Sequence, residues 1–348
     1  MSLESPQLLD HIQTTVGAAV DVYAGLPEPV KQNLVTAFNH LCSASMGVVT
    51  AHLEGKQREI ASRYDARIAI NNALALKIAE QASVPEEYVH DAVHKSLEKI
   101  VGRQKNKDVI ARIAVKELVG GSGIQAHASQ VQIEQNDVNQ PTRQISVDWL
   151  NAFEREAAEI TSEEMQLRFG KILAGEIKSP GSFSVRSIRL MSEIESDVAA
   201  DFAHACSMAV ALVIETHGDV RIPTVGLSPG ANGLREFGLS YRSLLSLQEV
   251  GLLNEESTTC PYRTCIPKVD KFVDGFLLHQ GRNHVLIRKP GTPSDDPALI
   301  AGISLTHVGR QLFPIVALHP VPEFTESIKK QLDSIGYTLV SADTENPV

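Results

Sequence analysis

Apolar residues return at three- and four-residue steps along the first third of the chain. Leu8, Leu9, Ile12, Val16, Val20 and Tyr23 form one helical face. The Gly25-Leu26-Pro27-Glu28-Pro29 turn ends that helix, because proline cannot continue it. A second helix is expected from near Pro29, with Leu34, Phe38, Leu41, Ser45 and Val48 as a short heptad-like seam. From Glu54 to Ala82 charges thicken around the stripe Ile60, Tyr64 and Ile68, the pattern of a solvated helix face. Pro85 is expected to start a helix with Tyr88, Val89, Ala92 and Leu97 inward, and another should cover Asp108 to Leu118. The period stops at Gly120-Gly121-Ser122-Gly123 and stays absent through the polar run to Gln144. Residues 1–120 therefore read as a helical N-terminal bundle and 121–145 as a linker, with a short strand around Val131–Ile133.

Helical periodicity resumes at Ser146, a good N-cap. Trp149, Leu150, Phe153 and Ala157 mark the buried side of the next helix. Thr161-Ser162-Glu163-Glu164 has the capping-box spacing, and the helix it starts carries Met165, Phe169, Ile172 and Leu173. Ser179-Pro180-Gly181 ends it, and Ser184 caps a further helix with Val185, Ile188 and Leu190. Ser192 to Ile214 also reads as mostly helical, so 146–215 forms a helical module. After Gly218 a Gly/Pro-rich loop region leads to the helix SYRSLLSLQEVGLL. Next come an apparent hairpin, KFVDGFLLH and HVLIRK around Gln280-Gly281-Arg282-Asn283, and then Leu305-Thr306-His307-Val308-Gly309-Arg310-Gln311-Leu312. Helix, two strands and a Thr-capped helix give 216–348 the order of a winged-helix-like α+β module. A helix over Pro322–Ile335 and a strand at Tyr337–Val340 close the chain. The fold class expected is mainly α, with the α+β part at the C-terminal end.

Composition agrees with helix-on-helix packing. Aromatics are 5% of the 348 residues, while the total hydrophobic share is an ordinary 43%. The formal net charge is −10, and no stretch is basic. Lys+Arg against Asp+Glu runs 13 to 14 over 1–130, 5 to 9 over 131–180 and 14 to 19 over 181–348. Such a surface repels nucleic-acid phosphate unless basic residues cluster locally. Four cysteines make no disulfide framework in a chain of this length, which suits a reducing cytoplasm. The N-terminus lacks the order of a secretory signal. The most apolar run, Phe202 to Ile214, is about half of the roughly 20 residues a spanning helix needs.

The segment from Ser146 to Arg189 carries a specific string. It holds Asp148-Trp149-Leu150, Phe153, Glu164-Met165-Gln166, Phe169-Gly170, Ile172-Leu173-Ala174-Gly175-Glu176-Ile177, Pro180-Gly181-Ser182-Phe183-Ser184 and Arg186. This string resembles a bacterial family known only as domain of unknown function 2806. Phe169 stands where the resemblance leads one to expect Trp. The likeness supplies no reaction. In layout it implies kinship with proteins of anti-phage defence and abortive infection. The string also has a physical reading: Gly175 admits a close neighbour, Pro180-Gly181 is a tight stop, and Ser182 and Ser184 cap the next helix. A binding cluster of Glu176, Arg186 and Arg189 is the functional alternative.

Candidate chemistry is sparse. Glu154, Glu156, Glu159, Glu163 and Glu164 belong to exposed helix faces rather than to an acid–base pair. Gly226–Gly230 and Gly120–Gly123 lack the Lys-Ser/Thr of a phosphate loop, and no nucleophile elbow or zincin motif occurs. The one metal hint is Cys260-x4-Cys265 followed by His279-x4-His284, close to the spacing of a zinc site. The intervening hairpin cannot present the histidines on a helix, so the competing reading is two loop cysteines and two strand histidines. No other cofactor is expected. The would-be recognition helix, Ser240 to Val250, offers only Arg242, and the wing only Arg282, Arg288 and Lys289. That is thin for DNA, whereas an acidic winged-helix-like module suits a protein partner. Helix Leu8–Tyr23 carries Asp10 and Asp21 and no Lys or Arg, which is poor for anionic lipid. The expectation is a cytoplasmic, non-enzymatic interaction protein that self-associates through its first part, in bacterial defence or stress response. A DNA-binding regulator is the runner-up, and a membrane-perturbing effector comes third.

Overall fold

The computed structural model describes residues 25–42, 86–120, 143–214, 217–224, 233–262, 273–279, 282–291 and 298–341. The expected helix over Leu8–Tyr23, the charged run Glu54–Ala82 and the linker strand at Val131–Ile133 lie outside the described residues. The chain divides into two compact units. One holds residues 1–121 and 142–188, the other 122–141 and 189–348. This division differs from the four-part reading of the sequence, because the helices of 146–215 are shared between the units.

The described part of the first unit is helical: α1 (Glu28–Leu41), α2 (Glu86–Gly120), α3 (Val147–Glu159), α4 (Glu163–Lys178) and the start of α5 (Val185–Glu193). The apolar stripes read from the sequence point inward. Leu34, Phe38, Leu41, Trp149, Leu150, Phe153, Phe169, Ile172 and Leu173 are all buried. Trp149 stacks on Phe153 at 5.0 Å between ring centroids, and Phe153 meets Phe169 at 5.5 Å. The heptad-like seam of Leu34, Phe38 and Leu41 is thus internal core over its described half. Ser45 and Val48 fall outside that half.

Two expectations are corrected here. The helices after Pro85 and over Asp108–Leu118 are one helix of 35 residues, α2, because Gly102 in a helix interior costs only about 1 kcal/mol and does not stop it. Of the residues expected inward on its first half, Ala92 is exposed and Leu97 half-buried, and the side chains of Tyr88 and Val89 lie outside the described residues; Ile110, Ala111, Ala114 and Leu118 are buried. The cap of α4 is Ser162 rather than Thr161, its hydroxyl accepting from the Met165 N–H at 3.3 Å.

α2 lies close against α4 because Gly170 has no side chain. A Cβ there would fall 2.7 Å from the Ile113 Cβ. The glycine thus turns a sequence signature into a helix–helix contact.

The second unit contains the end of α5, α6 (Ser196–Met208), a seven-stranded antiparallel sheet and its helices. The strands are β1 (Val210–Ile214), β2 (His217–Pro223), β3 (Leu253–Tyr262), β4 (Val273–His279), β5 (Arg282–Arg288), β6 (Ala298–Leu305) and β7 (Tyr337–Ser341), in spatial order β3-β6-β2-β1-β4-β5-β7. Between them stand α7 (Tyr241–Glu249), α8 (His307–Leu312) and α9 (Pro322–Ser334). The expected hairpin, the Thr-capped helix, the final helix and the final strand are all present. The sheet is far larger than one wing, however. Val210–Ile214, expected as helix, is a strand: an unbroken apolar run shows no period, and its β-branched residues favour the pleat. His217–Pro223, expected as loop, is also a strand, its Val220/Ile222 alternation being short and closed by Pro223.

The Leu-Thr-x-x-Gly segment ties this unit together. The Thr306 hydroxyl accepts from the Gly309 N–H at 3.1 Å and donates to the Gly251 carbonyl at 2.6 Å, while the Thr306 N–H donates to the Leu252 carbonyl at 3.0 Å. A Cβ on Gly309 would collide with that same Leu252 carbonyl. The turn after α7 is thereby fastened to the β6–α8 junction.

Gly170→Ala should push α2 from α4 and lower stability by about 1–3 kcal/mol in urea unfolding. An unchanged midpoint would mean that this contact is not close in solution.

Candidate functional site

The string around LAGEI and PGSFS converges on one buried carboxylate. Glu176 is 2% exposed and sits in the last turn of α4. One of its oxygens accepts from the Gly181 N–H at 2.7 Å and the other from the Phe183 N–H at 3.0 Å. Gly181 adopts φ +95°, a conformation open to glycine, and so turns its N–H onto the acid. The loop then drives Phe183 into the core. Its ring fills the space beside Gly175, where a Cβ would lie 2.6 Å from the Phe183 Cε2. The Phe183 carbonyl accepts from the Trp149 indole N–H at 2.6 Å. Ser184 accepts from the Ser187 N–H at 3.2 Å and starts α5.

A second buried side chain reinforces this site from α1. Asn33 donates to the Ile177 carbonyl at 3.3 Å and the Arg143 carbonyl at 3.4 Å, and its side-chain oxygen accepts from the Ile145 N–H at 3.0 Å. Every polar group here is bonded to backbone. Burial pushes the Glu176 carboxyl above the usual glutamate range, and the N–H groups of Gly181, Phe183 and Ser182 pull it back. Arg186 and Arg189, weighed as its partners in a binding cluster, are exposed, and no arginine contributes to that shift. The structure thus supports the packing-and-capping reading of the string.

A group of titratable side chains lies where α1, α2 and α3 meet. Lys107 donates to Glu154 at 2.5 Å, with the His40 Nε2 3.4 Å from the other Glu154 oxygen. Gln104 donates to Asp108 at 2.9 Å and to the Leu41 carbonyl at 3.1 Å. Burial first, and Asp108 next, push the Cys42 thiol up to about 12. A thiol so placed is a donor to a carboxylate, not a nucleophile. The sequence reading missed this network because its members come from three separate stretches of the chain, residues 40–42, 104–108 and Glu154, and share no spacing signal.

The described candidate zinc ligands, Cys260, His279 and His284, do not converge. Cys260 lies on β3, paired with Ile300 of β6 at one edge of the sheet. His279 lies on β4, in register with Arg282, and His284 lies on β5, in register with Leu277. β3 and β4 are four strands apart, about 19 Å at ordinary strand spacing. One zinc ion binds its ligands at about 2.0–2.3 Å and cannot bridge that span. Cys265 lies outside the described residues. The Cys260, Cys265, His279, His284 reading is therefore corrected: linear spacing suggested a cluster that the intervening strands separate. Among the described residues no group of three or more His, Cys, Asp or Glu side chains is arranged to hold a metal.

The expected recognition helix is α7, with Tyr241, Arg242 and Leu245 exposed. Of the basic wing residues, Arg288 lies 5.9 Å from the centroid of the Tyr337 ring and Lys289 is ion-paired with Asp333. No helix among the described residues is long and apolar enough to cross a membrane.

A helical unit and an α+β unit, with polar groups spent on loops and junctions, define a class of protein rather than an activity. Residues 122–329 match the model of the family described as Protein of unknown function (DUF2806), more than half of the chain, and the protein belongs to that family. No curated protein and no solved structure matches the chain.

Glu176→Ala should cost about 2–4 kcal/mol, because it leaves buried N–H groups without an acceptor. Loss of well under 1 kcal/mol would contradict the anchoring role. Since the folded carboxyl titrates above its unfolded value, the proton-linked part of its contribution is full below about pH 4.3 and is lost as pH rises through the folded value, while its oxygens go on accepting the loop N–H groups. Urea midpoints of Glu176→Gln should therefore vary less with pH across that window than those of the wild type.

Cys42 and the fully buried Cys206 should resist alkylation in the folded protein at pH 8, as peptide mapping would show. At a thiol value near 12 only about one Cys42 in ten thousand is thiolate. Rapid labelling of either residue in the native state would contradict their placement.

Proposed function

We propose that this protein is a non-enzymatic, self-associating interaction protein that engages a protein partner through its C-terminal α+β unit. The carrying observation is how its distinctive polar residues are employed. Glu176 holds backbone N–H groups, Asn33 bridges three backbone positions, and Thr306 caps a helix while fastening a turn. Residues so committed do not turn over a substrate. Some apolar surface also stays outward: Tyr241 is 62% and Leu245 45% exposed, one turn apart on α7.

The same employment weakens the regulator reading. Phosphate neutralisation needs several uncommitted cations, yet Arg288 stacks on Tyr337 and Lys289 pairs with Asp333, in a chain of net charge −10. The resemblance in layout favours a setting in bacterial anti-phage defence, and the four cysteines suit a cytoplasmic one. Challenge of cells with and without the gene tests it: equal phage plating on both would remove the defence reading.

Light scattering over a concentration series should give a mass above that of one chain. A monomer at every concentration would contradict self-association. Random duplex DNA at low salt should not be retarded in a gel, and a strong salt-sensitive shift would favour the regulator instead.

A further inference from the structure

We infer that α7 is the self-association surface, pairing antiparallel with the α7 of a second copy. This inference rests on the self-association reading above and gives the outward patch on α7 its occupant. α7 buries Leu244 and Leu247 and turns its other side to solvent. On that side Tyr241 is 62% and Leu245 45% exposed, and Arg242 and Glu249 are exposed beside them. With 3.6 residues to the turn, these four side chains leave the helix within about 100° of one another. They form one continuous patch, apolar along its middle and charged at each end.

Charge selects a second copy. Arg242 precedes Leu245 and Glu249 follows it, about 10 Å apart along the helix. Among the described residues neither charged side chain is hydrogen-bonded or ion-paired. A parallel pair would set arginine against arginine and glutamate against glutamate. An antiparallel pair with its two-fold axis between Leu245 and Ser246 brings each Arg242 level with the partner's Glu249. Helices in contact lie about 8–10 Å apart, a gap that an arginine and a glutamate reaching towards each other can close. The same axis sets the two Leu245 side chains together at the centre, with a Tyr241 on either side. One patch thus serves both copies, as a two-fold interface requires. Tyrosine and arginine are also side chains that often dominate binding energy in such patches. The helix is short, so the dimer is a weak one that fills as concentration rises.

The test uses sedimentation velocity of the full chain over a concentration series. Arg242→Glu and Glu249→Arg each set like charges across the axis twice over. Either alone should weaken association by about tenfold, and Leu245→Asp by at least as much. Both reversals in one chain, Arg242→Glu with Glu249→Arg, should restore the wild-type dimer. These positions are exposed, so circular dichroism should show every form folded. A wild-type dimer that none of the single substitutions weakens overturns this surface and leaves self-association standing. Weakening by each reversal without recovery in the double reversal overturns the antiparallel pairing. A wild-type monomer at every concentration overturns both the surface and the reading it rests on.

Discussion

The carboxylate of Glu176 lies out of water at the point where α4 stops, and backbone N–H groups are what meet it. An ion in that position is costly unless its lone pairs are filled, so the loop from Ser179 to Ser184 must close over it. Closing the loop sets Phe183 beside Gly175 and brings its carbonyl to the Trp149 indole. Trp149 stacks on Phe153, and Phe153 packs against Phe169. Asn33 then attaches α1 to the same region through the Ile177 carbonyl and the Ile145 N–H. Helix packing in the first unit thus rests on one buried acid and the turn that satisfies it. That dependence explains why the family string joins small residues, an acid and a Pro-Gly stop.

The second unit follows the same economy with different parts. Thr306 joins a helix cap to the turn after α7, and Gly309 leaves room for the carbonyl it needs. Buried Arg221 on β2 bonds Asp219 at 2.5 Å within its own strand. In both units these polar groups are answered by the backbone or by another side chain of the same unit. This is the physical basis for proposing interaction rather than catalysis. It also shifts attention to the exposed apolar positions, which nothing in either unit's internal packing requires.

Sequence pattern revealed the helices of the first unit well, because the stripes through Leu34, Trp149 and Phe169 have a clean 3.6 period. It located Thr306 and Ser184 as caps for the same local reason. It misjudged strands wherever periodicity was uninformative. Val210–Ile214 is apolar at every position, and β3 opens with the polar residues Asn254, Glu255 and Glu256. The capping group of α4 was displaced by one residue, since Thr161 and Ser162 both suit the role. The Glu176 site was half legible: the glycines and serines could be assigned steric and capping duties. That the acid would bind the loop's own N–H groups depends on a chain reversal that spacing does not encode. The zinc reading failed because linear proximity of Cys260 and His279 says nothing of the strands inserted between them.

The central claim is that Glu176 holds the 179–184 turn closed. Amide hydrogen exchange reads this directly at Gly181 and Phe183. Their N–H groups should exchange as slowly as those in the interior of α4 in the wild type, and lose that protection selectively in Glu176→Ala. Exchange of both amides at the rate of an open loop in the wild type would contradict the account.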